Sequence, residues 1–350
     1  MALAGRLPLP PLLRLTLLLA LLPALLPLRP AASWAAAEEI RFVRIGTGPI
    51  GGTYFPVGGL IANVISGPPG SMPCDIGGSC GVPGLIAAAV STQGSVENVS
   101  ALTAGRVDLA MSQANIAHDA FTGSGSYAGK PVDGLRAIAN LFPEAVHVVA
   151  RQDRKIESIG QLKGRRVGLG ETDSGTFVTA RLVLRAYGLT PGDLKPVYEK
   201  LVRSAEKLTS GEIDAFVMVG GQPVAAVAHA AERTPITLLP IRGRDAERII
   251  KAQPFFAVTV IPADVYRGVG ATETIGVGAQ LLVTAEREAD LVYAITRALW
   301  DPRNRKVLDS GNPNAQRMHP HSAVEGLSVP LHPGAERYYR ESGVIPSERP

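Results

Sequence analysis

The chain has 350 residues, 46% hydrophobic and 19% charged, with 35 lysines and arginines against 31 aspartates and glutamates. This composition excludes an intrinsically disordered chain, and the length suffices for one large or two medium domains with real cores. A formal net charge of +4, with no basic run longer than two residues, gives no support to nucleic-acid binding.

Residues 1–37 read as a secretory signal peptide. A basic start at Arg6 leads into "LPLPPLLRLTLLLALLPALLPL", and small residues follow, ending in Ala35-Ala36-Ala37, an A-x-A cleavage site. Pro8, Pro10, Pro11 and Pro23 interrupt the apolar stretch and argue against a spanning helix. Cleavage would remove Arg6, Arg14 and Arg29 and no acids, leaving 32 basic against 31 acidic residues. The expected location is therefore the periplasm.

"VRIGTGPIGGTY" (43–54) contains G-x-G-x-x-G at Gly46, Gly48 and Gly51 between an expected strand, Arg41–Ile45, and an expected helix, Tyr54–Ile65. A dinucleotide site fails here. NAD is not expected outside the cytoplasm, Pro49 removes an N–H from the turn, and no second strand carries the required acid. Cys74 and Cys80 stand in the Gly/Pro-rich "PGSMPCDIGGSCGVPG", where an oxidising compartment favours a disulfide. Gly77-Gly78-Ser79-Cys80-Gly81 matches G-x-S-x-G but lacks the strand before and the helix after that a nucleophile elbow needs.

Further on, strands are expected at Leu85–Val90, Val107–Met111, Leu135–Leu141, Val146–Ala150 and Arg166–Leu169. Helices are expected at Val96–Thr103, in "KIESIGQLKG" as a short one, and in "FVTARLVLRAYG". Alternation of this kind implies βαβ units and a mostly parallel sheet. The pattern also repeats. "LTAGRVDLAM" echoes "LTSGEIDAFVM", and Gly52-Thr53-Tyr54 is paralleled by Gly175-Thr176-Phe177. Two similarly wound lobes would aim helix N-termini at a shared cleft, where open N–H groups and hydroxyls suit an anion. Simple capping by Thr53 or Ser174 is the alternative for either loop alone. The six histidines, His319-Pro320-His321 included, read as capping and packing residues; no metal site and no cofactor is expected.

With these pieces in view, residues from about 40 to 339 resemble the TAXI family of substrate-binding receptors for TRAP-type secondary transporters. The matching segments are "IGTGPIGGTYFPVGGLIANVI", "STQGSVENVSALTAGRVDLAMSQANIAHDAF", "ANLFPEAVHVVAR", "LKGRRVGLGETDSGTFVTARLVL" and "GLSVPLHPGAERYYRE". The resemblance implies an α/β, two-lobed, type II periplasmic-binding-protein-like fold with a ligand cleft between lobes. The expected division is 38–142 for the first lobe, 143–252 for the second, and 253–350 for a return to the first with C-terminal helices. It implies a monomeric receptor, not an enzyme, that passes a small carboxylate or amino acid to TRAP membrane subunits. Carried onto this chain, the ligand set is Gly48, Gly52, Thr53, Tyr54, Ser91, Thr92, Ser95, Asn98, Gln113, Glu144, Asp173, Ser174, Gly175, Thr176 and Gln222. Glu144 would take an ammonium or hydroxyl. No arginine stands in these loops, leaving Arg151, Arg181 and Arg203 as weak candidates for gripping a carboxylate. A binding protein of an ATP-driven importer and an exported enzyme are the competing readings.

Overall fold

The computed structural model describes residues 39–346, so the expected signal peptide lies outside the described residues. The chain first lays down β1 (Arg41–Gly46), α1 (Tyr54–Ile65), β2 (Ser66–Gly67), β3 (Val82–Pro83), β4 (Leu85–Val90), α2 (Ser95–Thr103), β5 (Leu109–Gln113) and α3 (Ala114–Thr122). A long strand, β6 (Leu135–Arg151), leads into β7 (Arg166–Gly168), α4 (Gly175–Ala186), β8 (Lys195–Val197), α5 (Leu201–Ser210), β9 (Ala215–Gly220) and α6 (Ala225–Arg233). Then come β10 (Ile236–Leu238), α7 (Gly243–Ala252), β11 (Phe256–Ile261), β12 (Thr272–Thr284), α8 (Ala289–Leu299), α9 (Arg305–Gly311) and α10 (Pro333–Glu341).

The main sheet runs β4-β1-β5-β12-β6-β9-β7-β8, with β10 on β6 and β11 on β12. This order is nearly a palindrome. The parallel trio β4-β1-β5 on one flank answers β8-β7-β9 on the other, and the antiparallel pair β12-β6 lies between them. Each trio is wound as strand, helix, strand, helix, strand, the order the internal echo anticipates.

The echo has a physical basis. Asp108 accepts the backbone N–H of Arg44 at 2.9 Å and its Nε at 3.1 Å, while Arg44 Nη2 donates to the Gly105 carbonyl at 2.9 Å. Asp214 does the same for Arg166, at 2.9 and 3.2 Å, and Arg166 Nη2 donates to the Gly211 carbonyl at 2.9 Å. Gly105 and Gly211 both have positive φ, 67° and 82°, which end α2 and α5 and turn the chain toward the aspartate. An identical clamp thus ties the first strand of each trio to the last.

The sheet is mixed and not mostly parallel as expected, because β12 and β6 run against each other and against the trios they join. Three local expectations also change. The two strands expected at Leu135–Leu141 and Val146–Ala150 are one, β6, because the backbone stays extended through Pro143, opposite Gly278, and shifts of register against β12 absorb the irregularity. The short helix expected in "KIESIGQLKG" is a pair of single 3₁₀ turns, Gln152–Arg154 and Ile159–Leu162. The latter is closed by a Ser158/Gln161 capping box. Phe256, Ile275 and Val277, expected with the first lobe, pack in one core with Val146, Val167, Val183 and Val217. Only beyond Ala279 does the chain rejoin the core of β1, α1 and β5, to which α8 and α10 add Ile295, Trp300 and Tyr339.

Cys74 and Cys80 form the expected disulfide. Ser79 Oγ donates to the Ser66 carbonyl and accepts from Gly81 N, so its hydroxyl braces the loop. His332 Nδ1 accepts from Gly334 N at the start of α10, a cap as expected. Among the described residues, no helix is long and apolar enough to cross a membrane.

The clamps titrate. Burial raises both aspartates, but the Arg44 and Arg166 N–H groups and guanidiniums outweigh it and hold each carboxylate below its usual value. A depressed native value means stability that is present above the unfolded value and lost as pH falls through the native one. Asp108→Asn and Asp214→Asn should each cost about 1–3 kcal/mol in urea unfolding at pH 7. The cost should shrink below about pH 4; an equal cost at both pH values would contradict the clamp.

Candidate functional site

The helices α1, α2, α4 and α5 all begin at one cavity. It is lined by Tyr54 and Thr53 at the start of α1, Ser95 and Gly94 at α2, Gly175, Thr176 and Ser174 at α4, and Leu201 at α5. The unoccupied space amounts to about 580 Å³, counting what opens to solvent. Only α4 has a side-chain cap, Ser174 Oγ accepting from Phe177 N at 3.0 Å. The N–H groups of Tyr54, Ser95, Gly175, Thr176 and Leu201 form no hydrogen bond among the described residues. Unsatisfied N–H groups at four helix ends give the cavity a positive rim without a basic side chain.

Glu144 is the counterweight. It is 2% exposed, sits on β6 opposite Val277, and its Oε2 accepts the Tyr54 hydroxyl at 2.7 Å. Burial pushes its carboxyl up to about 8, against the lowering effect of the Tyr54 hydrogen bond. The phenol is driven well above its usual value, by burial first and then by Glu144. Glu171 and Glu199 also line the cavity, and among the described residues no lysine, arginine or histidine does. Burial raises Glu171, a rise that nearby Lys200 opposes and Glu97 adds to. Glu199 takes a proton donor from Lys207 on one oxygen and has none on the other.

The two trios meet directly around this space. Thr53 Oγ1 donates to the Gly221 carbonyl at 2.9 Å, Ala226 N to Gly51 O at 3.2 Å, and Glu97 N to Asp173 O at 3.0 Å. Thr179 Oγ1 donates to Gln113 Oε1 at 3.2 Å. Gly175 approaches so closely that a Cβ there would lie 2.7 Å from Gln113 Oε1 and 2.8 Å from Ser95 Oγ.

Ten of the fifteen residues expected in the ligand set line the cavity: Gly48, Gly52, Thr53, Tyr54, Ser95, Gln113, Glu144, Ser174, Gly175 and Thr176. The other five lie elsewhere. Asn98 is fully buried, its amide bound to the Thr47 and Met111 carbonyls and its oxygen to Thr92, so it holds the loops in place. Ser91 and Thr92 line a neighbouring hollow with Lys200 and Glu97. Asp173 contributes its backbone to the contact between trios, with its side chain exposed. Gln222 is buried outside the cavity, before a cis bond to Pro223. Of the arginines, Arg151 pairs with Asp153, Arg203 with Glu206, and Arg181 lies over the Phe177 ring; none lines the cavity.

Sequence reasoning missed Glu199, Leu201, Ser204, Gln93 and Glu171. Of these, Leu201 and Ser204 were within reach. Extending the L-T-x-G echo back along α5 sets Leu201 against Ser95 and Ser204 against Asn98. Glu199, Gln93 and Glu171 carried no such signal.

The only group of metal-ligating side chains among the described residues is Cys74, Cys80 and Asp301, and its two thiols are spent in the disulfide.

A model of the NMT1-like family matches residues 45–343, and the chain belongs to that family. MatC from Rhodopseudomonas palustris, solved with bound malate, superposes with a TM-score of 0.52 at 13% identity, over 87% of this chain and 99% of that one. The aliphatic sulphonate binding protein SsuA of Escherichia coli gives 0.42 at 13% identity, over 88% and 89%. The fold is the mixed α/β fold of periplasmic binding proteins.

The raised Glu144 value has a consequence for stability. Between the ordinary carboxyl value and about 8, the native state binds a proton that the unfolded state has shed, so stability falls as pH rises through that window. Glu144→Gln should therefore stabilise the empty protein at pH 8, by on the order of 2 kcal/mol, and change little at pH 4.5. Thermal melts of both proteins across that range would test it; a constant difference would refute it.

Proposed function

We propose that this chain is an extracytoplasmic solute-binding receptor, without catalytic activity, that captures a small carboxylate or amino acid in the cavity beneath the four helix N-termini. One observation carries the reading: α1, α2, α4 and α5 converge on a space that the buried, hydrogen-bonded Glu144–Tyr54 pair also lines. Free N–H groups at helix ends suit a carboxylate, and the carboxyl–phenol pair suits a donor group on the same molecule. We assign the chain to the TAXI branch and its membrane partner to a TRAP-type secondary transporter, on the segments quoted from the sequence. Export through residues 1–37 to the periplasm fits the disulfide in the loop after α1.

The two flanking trios serve in this reading as the lobes, with residues 39–142 in the first, residues 143–278 in the second, and the chain from Ala279 onward returning to the first. The runner-up is the binding protein of an ATP-driven importer. It shares the two-lobed logic and differs only in the membrane partner.

Three experiments test the proposal. Thermal unfolding of the mature protein, stripped by denaturation and refolding, is run against amino acids, keto acids and dicarboxylates. A ligand at ~100 times its Kd adds roughly 2.7 kcal/mol, an easily read shift. Gly175→Val puts carbon where Gln113 and Ser95 stand; it should weaken binding at least about tenfold with the fold intact. Unchanged affinity would displace the site. Uptake into proteoliposomes with TRAP membrane subunits, driven by an ion gradient without ATP, separates the two transporter classes.

A further inference from the structure

Resting on that reading, we infer that Glu144 is the residue that selects an α-amino acid over its keto or hydroxy analogue, by giving up a proton to take the ligand's ammonium group. The geometry assigns it. Among the described residues the cavity is lined by three carboxyl side chains and no cationic one, so an ammonium group on the ligand finds an acceptor there, whereas a second carboxylate meets only acids and helix N–H groups.

Of the three acids, Glu144 alone is fully buried and held in a fixed position. Tyr54 donates to its Oε2, and its other oxygen forms no hydrogen bond with the described residues. Tyr54 is itself steadied by Ser95, whose hydroxyl also accepts from Gln113 N. The acceptor therefore has one oxygen occupied and one left for a ligand.

The groups packed around it leave its proton to decide the matter. Tyr54 of α1 stays neutral. His147, three residues along β6, is buried and pushed down to about 4, its ring nitrogens on the Ala145 carbonyl and the Tyr266 hydroxyl, so it stays neutral as well. Glu171 lies toward Lys200, and Glu199 is tied to Lys207. None of these charges contributes to the Glu144 carboxyl; burial and Tyr54 alone act on it. In the empty cavity at neutral pH Glu144 is protonated. When an ammonium group enters, its N–H donates to the carboxylate oxygen and the carboxyl proton leaves to solvent. A keto or hydroxy acid offers no charge to offset, and the proton stays.

The test is titration calorimetry on the stripped mature protein with glutamate and leucine and their two keto acids, in phosphate and in Tris at pH 7. The buffer dependence of the heat gives the protons exchanged. Amino-acid binding should release close to one proton at pH 7, a release that shrinks as pH rises through 8, and keto-acid binding should release none. Amino-acid affinity should climb about tenfold per unit below pH 7 and level off above pH 8. Glu144→Gln should abolish the release and weaken the amino acid by on the order of 100-fold, leaving any keto-acid binding within a few-fold. Amino-acid binding without proton release, or a keto acid bound as tightly as its amino acid, would overturn the inference while leaving the small-acid receptor intact. Binding of neither class to a folded protein would overturn both.

Discussion

The antiparallel pairing of β6 with β12 is the constraint from which the site follows. Both strands are long enough to serve two parallel trios at once: β12 meets β5 through Ala279–Leu282 and β6 meets β9 through Ala145–Ala150. Parallel strands need helical crossovers, and each crossover helix starts at the carboxyl end of the strand before it. Reversing the second trio about the central pair turns its helix starts to face those of the first. Four N-termini at one cavity are the outcome of topology, with the Arg44–Asp108 and Arg166–Asp214 clamps keeping each trio in register.

The same topology sets the electrostatic problem. Each uncapped helix start favours negative charge by about 0.3–1 kcal/mol, somewhat more where buried. Burying a lone carboxylate costs several kcal/mol. The second exceeds the first, since Glu144 receives only the Tyr54 hydroxyl and none of the helix N–H groups. It is therefore held neutral while the helix N–H groups around the same cavity stay open.

Much of the frame was legible in the sequence because it rests on local chemistry. Strand–glycine–helix order, the limits of α1, and the echo at Leu102–Met111 are statements about short segments. Arg44 and Arg166, one residue before the Ile-Gly and Val-Gly of each glycine turn, belong to the same echo and explain its aspartates. The errors fall where tertiary pairing decides. Pro143 looks like a break in a strand until β12 lies beside it, and Phe256 and Ile275 take the core they do because β11 pairs with the near half of β12. Asn98 and Gln113 read alike as polar residues near glycine loops. Only packing sends one behind the loops, onto the Thr47 and Met111 carbonyls, and the other to the cavity wall.

The contacts between the trios bear on affinity in the proposed receptor. Thr53 with Gly221, Ala226 with Gly51 and Glu97 with Asp173 join polypeptide to polypeptide, with no atom contributed by a ligand. Bonds of this kind stabilise the closed arrangement whatever occupies the cavity, so they raise the affinity of every ligand alike by raising the closed fraction. Discrimination has to come from groups that reach the ligand only when the trios are together. Gly175, lodged against Gln113 and Ser95, is such a group, and Glu144, which lines the same space, is another in the proposed receptor. General tightness and chemical choice therefore reside in different residues, and a substitution in one set can change affinity without changing which acid is preferred.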